Sequence, residues 1–441
     1  MSAKDFSIFS AANECPDSLA VRTNERDWTF SEIACLVQKK IKKIPENEQV
    51  FPLIASSTLD TLVDIYALLE LRKTILLIHP KLTELEIKNL LSSFRWSEGG
   101  ISEDCAVILF TSGTTGKPKP AMISRRALVA SAESSACNIP LERGDVWQLS
   151  ISPARIGGFS IVTRSLRARS AVSLPSKFEP EHFVEELIDQ KVSFTSLVPT
   201  MLAMIFDRFP NWTPPKTLKA ILLGGSSASR ALKEKASRQQ VPIVITYGMT
   251  ESSSNVVTTP YQSRFEVTEG CGQPNAGVQL RINQGIVEVK GPMLMDGYWR
   301  MESIDRDEWF STGDIGFLDE KGNVHIQARR TDVIVSGGEN VYPVEVEEAL
   351  ETIDGIKEAR VVGMSEDIWG AIVTALLVPK SSEKISNETI VKSLSRILAQ
   401  YKSPRRITWV SHLPVLSNGK PDRTAKILEG LTFEMLHYTH H

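Results

Sequence analysis

The amino-acid sequence predicts an α/β protein with a large N-terminal α/β region that contains a β subdomain, followed by a small C-terminal α/β domain. From residue 105 onward, short apolar runs of strand length alternate with helical patterns, which is typical of a largely parallel sheet covered by helices. After about residue 275 the pattern changes to short strands separated by turns, which indicates antiparallel pairing. The 441 residues are enough for two or three domains.

The composition is that of a soluble globular protein. Hydrophobic residues make up 42% of the chain and charged residues 23%, and the formal net charge is −3 at pH 7. These values give no reason to expect a nucleic-acid partner. No apolar run reaches the roughly 18 residues of a membrane helix, so we expect no membrane insertion. The five cysteines form no CxxC pair, which favours a reducing, cytoplasmic location. A homo-oligomer is compatible with the sequence.

The N-terminal hundred residues predict mixed α/β structure. Helical patterns cover residues 31–43 and 81–94, and an apolar stretch covers 61–78. A polar connector that contains two glycines follows at 96–104. We expect the regular alternation of strands and helices to begin only after this connector.

The next elements are the strands and helices of the expected parallel sheet. A buried strand is predicted at 106–110, followed by a polar loop and a helix over 124–136. Three further apolar runs end in polar or glycine residues, with helices between them: runs at 192–199, 218–225 and 241–248, helices at 179–191 and 229–240. Ligands bind at the ends of strands in such sheets, so we expect the functional residues there.

The last third of the chain predicts the β subdomain and the small domain. The segments VQLRI, GIVEVKG and GNVHIQA alternate apolar and polar residues, as half-buried strands do. The small domain, from about residue 332, combines two predicted helices with two predicted strands: helices at 344–353 and 387–401, strands near 359–364 and 371–378.

A loop rich in glycine, hydroxyl and lysine side chains directly follows the strand at 106–110. Its residues are Thr111, Ser112, Gly113, Thr114, Thr115, Gly116, Lys117, Pro118 and Lys119. Glycines let backbone N–H groups approach a phosphate, and hydroxyl groups add donors. The glycine spacing is not that of a Walker A loop, which disfavours a P-loop kinase or GTPase. Taken alone, the loop is also compatible with a surface turn.

Five other short motifs follow this loop along the chain. They are Tyr247-Gly-Met-Thr-Glu251, Ser311-Thr-Gly-Asp314, Arg329-Arg-Thr-Asp332, Ser336-Gly-Gly-Glu-Asn340 and Leu416-Ser-Asn-Gly-Lys420. In this order, the six segments resemble the adenylate-forming superfamily of acyl-CoA synthetases, adenylation domains and luciferases. The resemblance covers about residues 105–425. It implies an AMP-binding and acid-binding domain over 1–330, a hinge at Thr331, and a mobile domain over 332–441.

The resemblance implies a two-step reaction that uses ATP, Mg²⁺ and coenzyme A. A carboxylate first attacks the α-phosphorus of ATP, which gives an acyl-adenylate and pyrophosphate. The CoA thiol then attacks the acyl carbonyl and AMP leaves. Because two anions meet in the first step, the site needs cations and preorganised donors. A small-molecule carboxylic acid is therefore the expected substrate.

Each family role transfers to a residue at the matching position of this sequence. The resemblance assigns catalysis to Lys420, Glu251 and Thr250, with Glu251 as the Mg²⁺ ligand. Residues 111–119 would hold the β- and γ-phosphates. The adenosine and its phosphate would contact Gly224, Gly225, Tyr247, Gly248, Asp314 and Arg329. CoA would pass along Ser336, Gly337, Gly338 and Glu339. Threonine at position 331 and alanine at 328 differ from the commonest family residues.

The segments at 196–206, 222–229, 246–258, 329–350 and 361–370 look most like o-succinylbenzoate–CoA ligases of menaquinone biosynthesis. That acid carries a second carboxylate, which must be recognised as an anion. Arg164 matches the position of an arginine that, by this resemblance, holds the substrate. If residues 157–167 are helical, Gly157, Ser160 and Arg164 share one face, and Arg164 could offer a bidentate contact to that carboxylate. Arg155 occupies the position of a usual family histidine and could supply a second positive charge.

Three alternatives to this assignment stay open on sequence grounds. The acid could be another aryl or acyl carboxylate. The acceptor could be a separate carrier protein rather than CoA. The chain could also be a binding protein without catalysis, although such a protein has no need of Lys420. In the same way, Arg164 could be an exposed or structural helix arginine and Lys420 a solvated turn lysine.

Overall fold

The computed structural model describes residues 6–93, 100–112, 118–225, 228, 230–329, 333–366, 370–414 and 425–438. The chain divides into two compact units. The first consists of Met1–Pro80, Trp96–Thr111 and Pro120–Ala328, and the second of Lys81–Arg95, Ser112–Lys119 and Arg329–His441. The second unit therefore contains two segments from the N-terminal third of the chain.

Eleven α-helices lie within the described residues. They are α1 Ile8–Glu14, α2 Phe30–Ile41, α3 Leu59–Glu70, α4 Glu84–Ser93, α5 Arg125–Ala136, α6 Ile156–Ala168, α7 Pro180–Asp189, α8 Pro199–Arg208, α9 Arg230–Arg238, α10 Pro343–Glu351 and α11 Asn387–Ile397.

The described strands run through both units. The strands up to the predicted β section are β1 Leu19–Arg22, β2 Asp27–Thr29, β3 Val50–Ile54, β4 Thr74–Ile78, β5 Cys105–Ser112, β6 Pro118–Ser124, β7 Val146–Gln148, β8 Ala171–Ser173, β9 Phe194–Leu197, β10 Ala220–Leu223, β11 Ile243–Met249 and β12 Ser254–Thr258. The later strands are β13 Gln273–Pro274, β14 Gln279–Asn283, β15 Ile286–Lys290, β16 Gly297–Tyr298, β17 Phe310–Leu318, β18 Val324–Arg329, β19 Ile334–Ser336, β20 Glu339–Val341, β21 Ile356–Glu366, β22 Gly370–Pro379, β23 Arg406–Trp409 and β24 Glu434–Met435.

The largest sheet has nine strands in the order β13-β12-β11-β10-β9-β7-β8-β1-β2. Its six consecutive strands from β11 to β1 pair in parallel, which confirms the predicted parallel sheet. Strands β12, β13 and β2 pair antiparallel at the two sides. The predicted functional segments after β10 and in β11 therefore lie on neighbouring strands.

The predicted β section divides between two sheets. Strands β14, β15, β17 and β18 form a four-stranded sheet with antiparallel pairing. Strand β16 instead joins the five-stranded sheet β16-β6-β5-β4-β3, where Gly297 pairs with Met122. The three strand segments predicted for this section all lie in the four-stranded sheet, as β14, β15 and β18. Strand β16 was not predicted, because its two residues carry too little pattern to identify a strand.

One large core unites the two major sheets of the first unit. It includes Ile75 and Val107 from the five-stranded sheet and Trp147 and Phe194 from the nine-stranded sheet. Each large apolar side chain contributes roughly 1.5–3 kcal/mol when it leaves water. The core thereby fixes the relative positions of the strand ends that carry the candidate site.

Helix α2 illustrates how local sequence starts these elements. Thr29 and Glu32 form a capping box, in which each side chain accepts a hydrogen bond from the other residue's backbone N–H. Phe30, Ile33 and Val37 recur at helical spacing and are buried. The helix therefore begins at Phe30, one residue before the predicted start.

The second unit is a separate α/β body with its own core. A two-stranded sheet, β19-β20, accompanies a four-stranded sheet in the order β21-β22-β23-β24. Helices α10 and α11 contribute Val346, Leu350, Ile390 and Leu394 to its core. The predicted helices and strands of the small domain are all present, with ends shifted by a few residues.

Across the described ranges, no helix is both long and apolar enough to cross a lipid bilayer.

Candidate active site

Tyr247 and Asp314 come together in the first unit although 67 residues separate them in the sequence. Tyr247 lies in β11 and Asp314 in β17. The Tyr247 hydroxyl donates to Asp314 Oδ2 at 2.7 Å, and the Asp314 side chain is buried. A phenol and a carboxylate joined in this way present an aromatic face beside a hydrogen-bond acceptor. This pair suits a nucleoside, whose base can stack and whose ribose hydroxyls can donate.

Two of the predicted nucleotide-binding glycines occupy positions that exclude a side chain. A Cβ atom on Gly224 would lie 2.3 Å from Thr246 Oγ1. A Cβ atom on Gly248 would lie 2.1 Å from the Ser254 carbonyl oxygen. Both distances are far below van der Waals contact, so these positions require glycine. Gly225 follows Gly224 at φ +83°, in the left-handed region.

Glu251 lies in a short 3₁₀ turn, Thr250–Ser252, directly after β11. Its Oε1 accepts a hydrogen bond of 2.7 Å from the hydroxyl of Tyr298, which lies in β16. The neighbouring Thr250 is half-buried. The pairing of β16 with β6 thus brings a tyrosine to the predicted catalytic carboxylate, and this contact was missed because Tyr298 belongs to no motif that the sequence analysis identified.

Glu251 has the chemistry of a magnesium ligand. Within the described chain, no group of three or more His, Cys, Asp or Glu side chains could enclose a metal ion. Mg²⁺ prefers hard oxygen ligands, keeps several waters, and is commonly held by one or two carboxylates together with substrate phosphates. A single oriented carboxylate therefore fits Mg²⁺ delivered with ATP.

The predicted phosphate loop is described only at its ends. Thr111 is half-buried near the end of β5, and Lys119 is half-buried near the start of β6. Gly113, Thr114, Thr115, Gly116 and Lys117 lie outside the described residues, as does the side chain of Ser112. The structure therefore establishes the two strands that flank this loop.

Helix α6 carries the residues predicted to bind the acid, and the condition for their shared face is met because residues 157–167 are helical. Ser160 is buried, and its hydroxyl donates to the Gly157 carbonyl at 2.8 Å. The same hydroxyl lies 3.2 Å from Ser254 Oγ. Arg155 is half-buried at the N-terminal cap of the helix. These residues present a row of polar groups along α6.

Arg164, one turn after Ser160, is a buried cation. Its residue surface is 6% exposed, so the alternative of an exposed arginine is wrong, while that of a structural arginine stays open. Its Nη2 donates to Ser131 Oγ at 3.3 Å, while its Nε is buried without a hydrogen-bond partner. Among the described side chains, no carboxylate forms an ion pair with it. Burial lowers the pKa of Arg164 to about 10. A buried arginine that has an unpartnered Nε–H and no carboxylate partner can donate hydrogen bonds to an anion.

A small cavity of about 30 Å³ also borders Arg164, between α5 and α6. It is lined mainly by apolar and small side chains, including Ala132, Trp147 and Ala168. This volume holds about one water molecule. The cavity is therefore too small for an aromatic acid and is not the substrate pocket.

The predicted CoA-binding segment forms a tight hairpin in the second unit. Ser336 pairs with Glu339, and the two residues between them, Gly337 and Gly338, have φ values of +57° and +79°. Consecutive left-handed residues are typical of a type I′ turn. Glu339 lies 3.9 Å from Lys81 Nζ, whose side chain is largely exposed. The tip of the hairpin therefore consists of two glycines and carries no side chain.

Several predicted residues cannot be placed. Lys420 and Thr331, the predicted hinge residue, lie outside the described residues. Arg329 ends β18, but its side chain is likewise outside the description. Conversely, Ser131 of α5 and Ser254 at the start of β12 contact residues predicted to bind the acid. Both were missed, because Ser131 belongs to no motif and Ser254 was given no role within the segment 246–258.

Comparison with known proteins relates this geometry to a family. The model for AMP-binding enzymes matches residues 97–299, and the model for the C-terminal domain of AMP-binding enzymes matches 345–420. The 2-succinylbenzoate–CoA ligase of Oceanobacillus iheyensis is 36% identical over 324 residues, which cover 71% of this chain and 67% of that protein. The chain belongs to the AMP-binding enzymes, in the family of the 2-succinylbenzoate–CoA ligases.

Solved structures of AMP-binding enzymes agree with this membership. A double mutant of o-succinylbenzoate CoA synthetase from Bacillus subtilis, bound to a product analogue, has a TM-score of 0.86 and 26% identity, and the match covers 98% of this chain and 99% of that one. The same Bacillus subtilis enzyme in complex with ATP and magnesium has a TM-score of 0.66 and 26% identity, with 95% and 98% covered. The fold is therefore that of the adenylate-forming enzymes, as predicted.

Proposed function

We propose that this AMP-binding enzyme is an ATP-dependent acid–CoA ligase that converts 2-succinylbenzoate to 2-succinylbenzoyl-CoA, a reaction of menaquinone biosynthesis. The observation that carries this proposal is the buried guanidinium of Arg164, which has no carboxylate partner among the residues described. A buried cation is costly unless something compensates it. The second carboxylate of 2-succinylbenzoate would supply that compensation when the acid binds.

The first step joins the acid to ATP. The succinyl carboxylate attacks the α-phosphorus, the bond to the β-phosphate breaks, and pyrophosphate leaves. The pair of Tyr247 and Asp314 would hold the adenosine. Glu251, oriented by Tyr298, would hold Mg²⁺, which supplies positive charge at the phosphates when it is bound. Residues 111–119, Arg329 and Lys420 would complete the phosphate contacts, an assignment that rests on sequence resemblance.

The acid would lie along α6. Gly157 has no side chain to fill the space at the start of this helix, and a Cβ atom there would have nothing within 4 Å. Ser160 and Arg164 follow on the same face. Arg155 at the cap of the helix adds a second positive charge beside this face. One small residue, one hydroxyl and two cations match an aromatic ring that carries two anionic groups.

The second step transfers the acyl group to CoA. The thiol sulfur attacks the acyl carbonyl, the bond to the phosphate oxygen breaks, and AMP leaves. The hairpin from Ser336 to Glu339 would line the approach of the pantetheine arm, since its glycine tip allows close contact with a narrow chain. The division into domains 1–330 and 332–441 with a hinge at Thr331 belongs to this proposal and rests on the resemblance.

The cellular setting is part of the same proposal. All five cysteines are free thiols, which is typical of a reducing compartment such as the cytoplasm. Self-association of the chain stays a prediction from the sequence alone.

The test is a product assay with purified protein, ATP, Mg²⁺, CoA and 2-succinylbenzoate. We expect a thioester of the mass of 2-succinylbenzoyl-CoA, dependent on both ATP and CoA. A panel of benzoates and short fatty acids serves as the control. Thioester from one of those acids alone would show that the substrate is wrong while the reaction class is right.

Two further outcomes would contradict the proposal at other points. Adenylate without thioester would indicate a carrier protein as the acceptor instead of CoA. If no acid yields an adenylate although ATP binds, the chain is a binding protein rather than a ligase. Intact-mass measurement of AMP, adenylate and thioester in one reaction separates these results.

A further inference from the structure

Ser131 lies on α5, outside every motif, yet its hydroxyl contacts the candidate acid-binding arginine. The residue is 2% exposed. Its Oγ donates to the backbone carbonyl of Ser253 at 2.7 Å and accepts from Arg164 Nη2 at 3.3 Å. Since a serine hydroxyl has one proton, the bond to Ser253 leaves only acceptor capacity toward Arg164.

The backbone whose carbonyl accepts the hydrogen bond from Ser131 has an uncommon conformation. Ser253 and Ser254 have φ values of +53° and +107°, which side-chain-bearing residues rarely adopt. Ser253 Oγ donates to the Met293 carbonyl at 2.7 Å, and Ser254 Oγ lies 3.2 Å from Ser160 Oγ. These contacts fix the segment just after Glu251 against both α5 and α6.

A neutral hydrogen-bond acceptor at position 131 leaves the positive charge of Arg164 intact, which a carboxylate there would not do. An aspartate or glutamate would pair with Arg164 and neutralise it, and would then compete with an incoming anion. An alanine would remove the described acceptor of Nη2 and leave the guanidinium free to turn. A serine holds Nη2 while the cation keeps its full charge and its Nε–H stays without a protein acceptor.

We infer that Ser131 is a positioning residue for acid specificity: it orients the Arg164 guanidinium so that the unused Nε–H can bind the second carboxylate of a dicarboxylic substrate. The inference rests on the proposed function and deepens it, because it names the group that makes Arg164 selective. Ser131 itself does not touch the reacting atoms.

The test compares two acids that differ in one group. 2-Succinylbenzoate has the aromatic carboxylate and 4-oxo-4-phenylbutanoate lacks it. For Ser131→Ala we expect the KM for 2-succinylbenzoate to rise about tenfold, the size expected for a lost hydrogen bond to a charged group. The kcat, the KM for ATP and the kcat/KM for 4-oxo-4-phenylbutanoate should stay nearly unchanged. The preference for the dicarboxylic acid therefore falls about tenfold.

Ser134→Ala is the matched control. Ser134 is also a buried serine of α5, and its hydroxyl donates to the Ala276 carbonyl at 2.7 Å. This substitution removes a similar bond to backbone without a described contact to Arg164, so it should leave the ratio of the two acids unchanged. Ser131→Cys, which keeps the size but is a weaker acceptor, replaces Ser131→Ala if alanine prevents folding, and should also lower the ratio.

The results separate this inference from the proposed function. If the wild-type enzyme makes no thioester from 2-succinylbenzoate, the proposed function fails and this inference fails with it. If the wild type is active but Ser131→Ala keeps the wild-type ratio, or slows both acids equally, Ser131 has only a structural role and the inference alone is wrong.

Discussion

Burial of the Arg164 guanidinium costs the folded protein free energy. Burial lowers the pKa of this group from 12.5 to about 10, which corresponds to about 3 kcal/mol. Below pH 10 the arginine is charged in both the folded and the unfolded chain, so the full cost is present. The cost fades only as pH rises from about 10 to 12.5, where the folded protein loses the proton first. The free-energy cost of burying Arg164 is therefore constant at physiological pH.

We expect Arg164→Met to raise the free energy of unfolding by about 1–3 kcal/mol, since an apolar side chain replaces an uncompensated buried charge. The same variant should lose its preference for 2-succinylbenzoate over 4-oxo-4-phenylbutanoate. Urea unfolding and the two-acid assay measure the two effects. Arg167→Met is the control, because Arg167 pairs with Glu133 at 2.8 Å on a more exposed surface and should give no gain. A less stable Arg164→Met protein would show that the guanidinium is compensated.

At the scale of single elements, the sequence predicted which segments are helices and strands better than it predicted their partners. The spacing of Gly157, Ser160 and Arg164 correctly indicated one face of α6. That this face is buried depends on α5 and on the backbone at Ser253, which helical periodicity cannot reveal. The start of α4 is a different case: a helix predicted from residue 81 begins at Glu84, because Thr83 and Glu86 cap it locally, a signal that the sequence contains.

Helix α4 is joined to the rest of the second unit by a buried ion triad. Lys402 Nζ lies 2.9 Å from Glu86 of α4 and 2.7 Å from Glu345 of α10, and its side chain is 8% exposed. Burial alone would lower the pKa of Lys402, but Glu345 and Glu86 outweigh that effect and raise it. The stabilisation by this pairing is full below the unfolded pKa of about 10.5 and is lost only as pH rises through the higher folded value.

Lys402→Met should destabilise the second unit by about 3 kcal/mol, because two carboxylates stay largely buried without their cation. Hydrogen exchange should then show faster opening of α4 and α10, while the nine-stranded sheet keeps its protection. Lys392→Met on the exposed side of α11 provides a comparison and should change little. Unchanged protection of α4 in Lys402→Met would mean that apolar contacts hold this helix.

For the whole molecule, the parallel sheet, the β section and the small domain could be predicted because each has its own hydrophobic period. Which segments make up the second unit could not be predicted, because the segment Lys81–Arg95 belongs to it through contacts with residues more than 250 positions away. Similarly, the order of the six motifs identified the chemistry, but the pairing of Tyr298 with Glu251 required the fold.

Lys420 provides a test of the two-step reaction as a whole. We expect Lys420→Ala to bind ATP within about twofold of the wild-type affinity and to form the adenylate at least about 100-fold more slowly, the loss typical of removing one transition-state donor. Thioester formation from supplied acyl-adenylate should continue. Equilibrium ATP titration and single-turnover mass spectrometry measure these quantities, and a fully active Lys420→Ala enzyme would assign the catalytic lysine elsewhere.

The ion triad also affects how the chain folds during its synthesis. Glu86 and Lys402 are 316 residues apart, so the ribosome, at roughly 5–20 residues per second, needs about 15–60 s between them. Throughout this interval α4 has been made but its partner cation has not, and α4 contributes no buried residue that could hold it in place by apolar contact alone. The second unit is therefore the last part of the nascent protein to be completed, and a ribosome that stalls before Lys402 leaves α4 without its partner cation and accessible to proteases and chaperones.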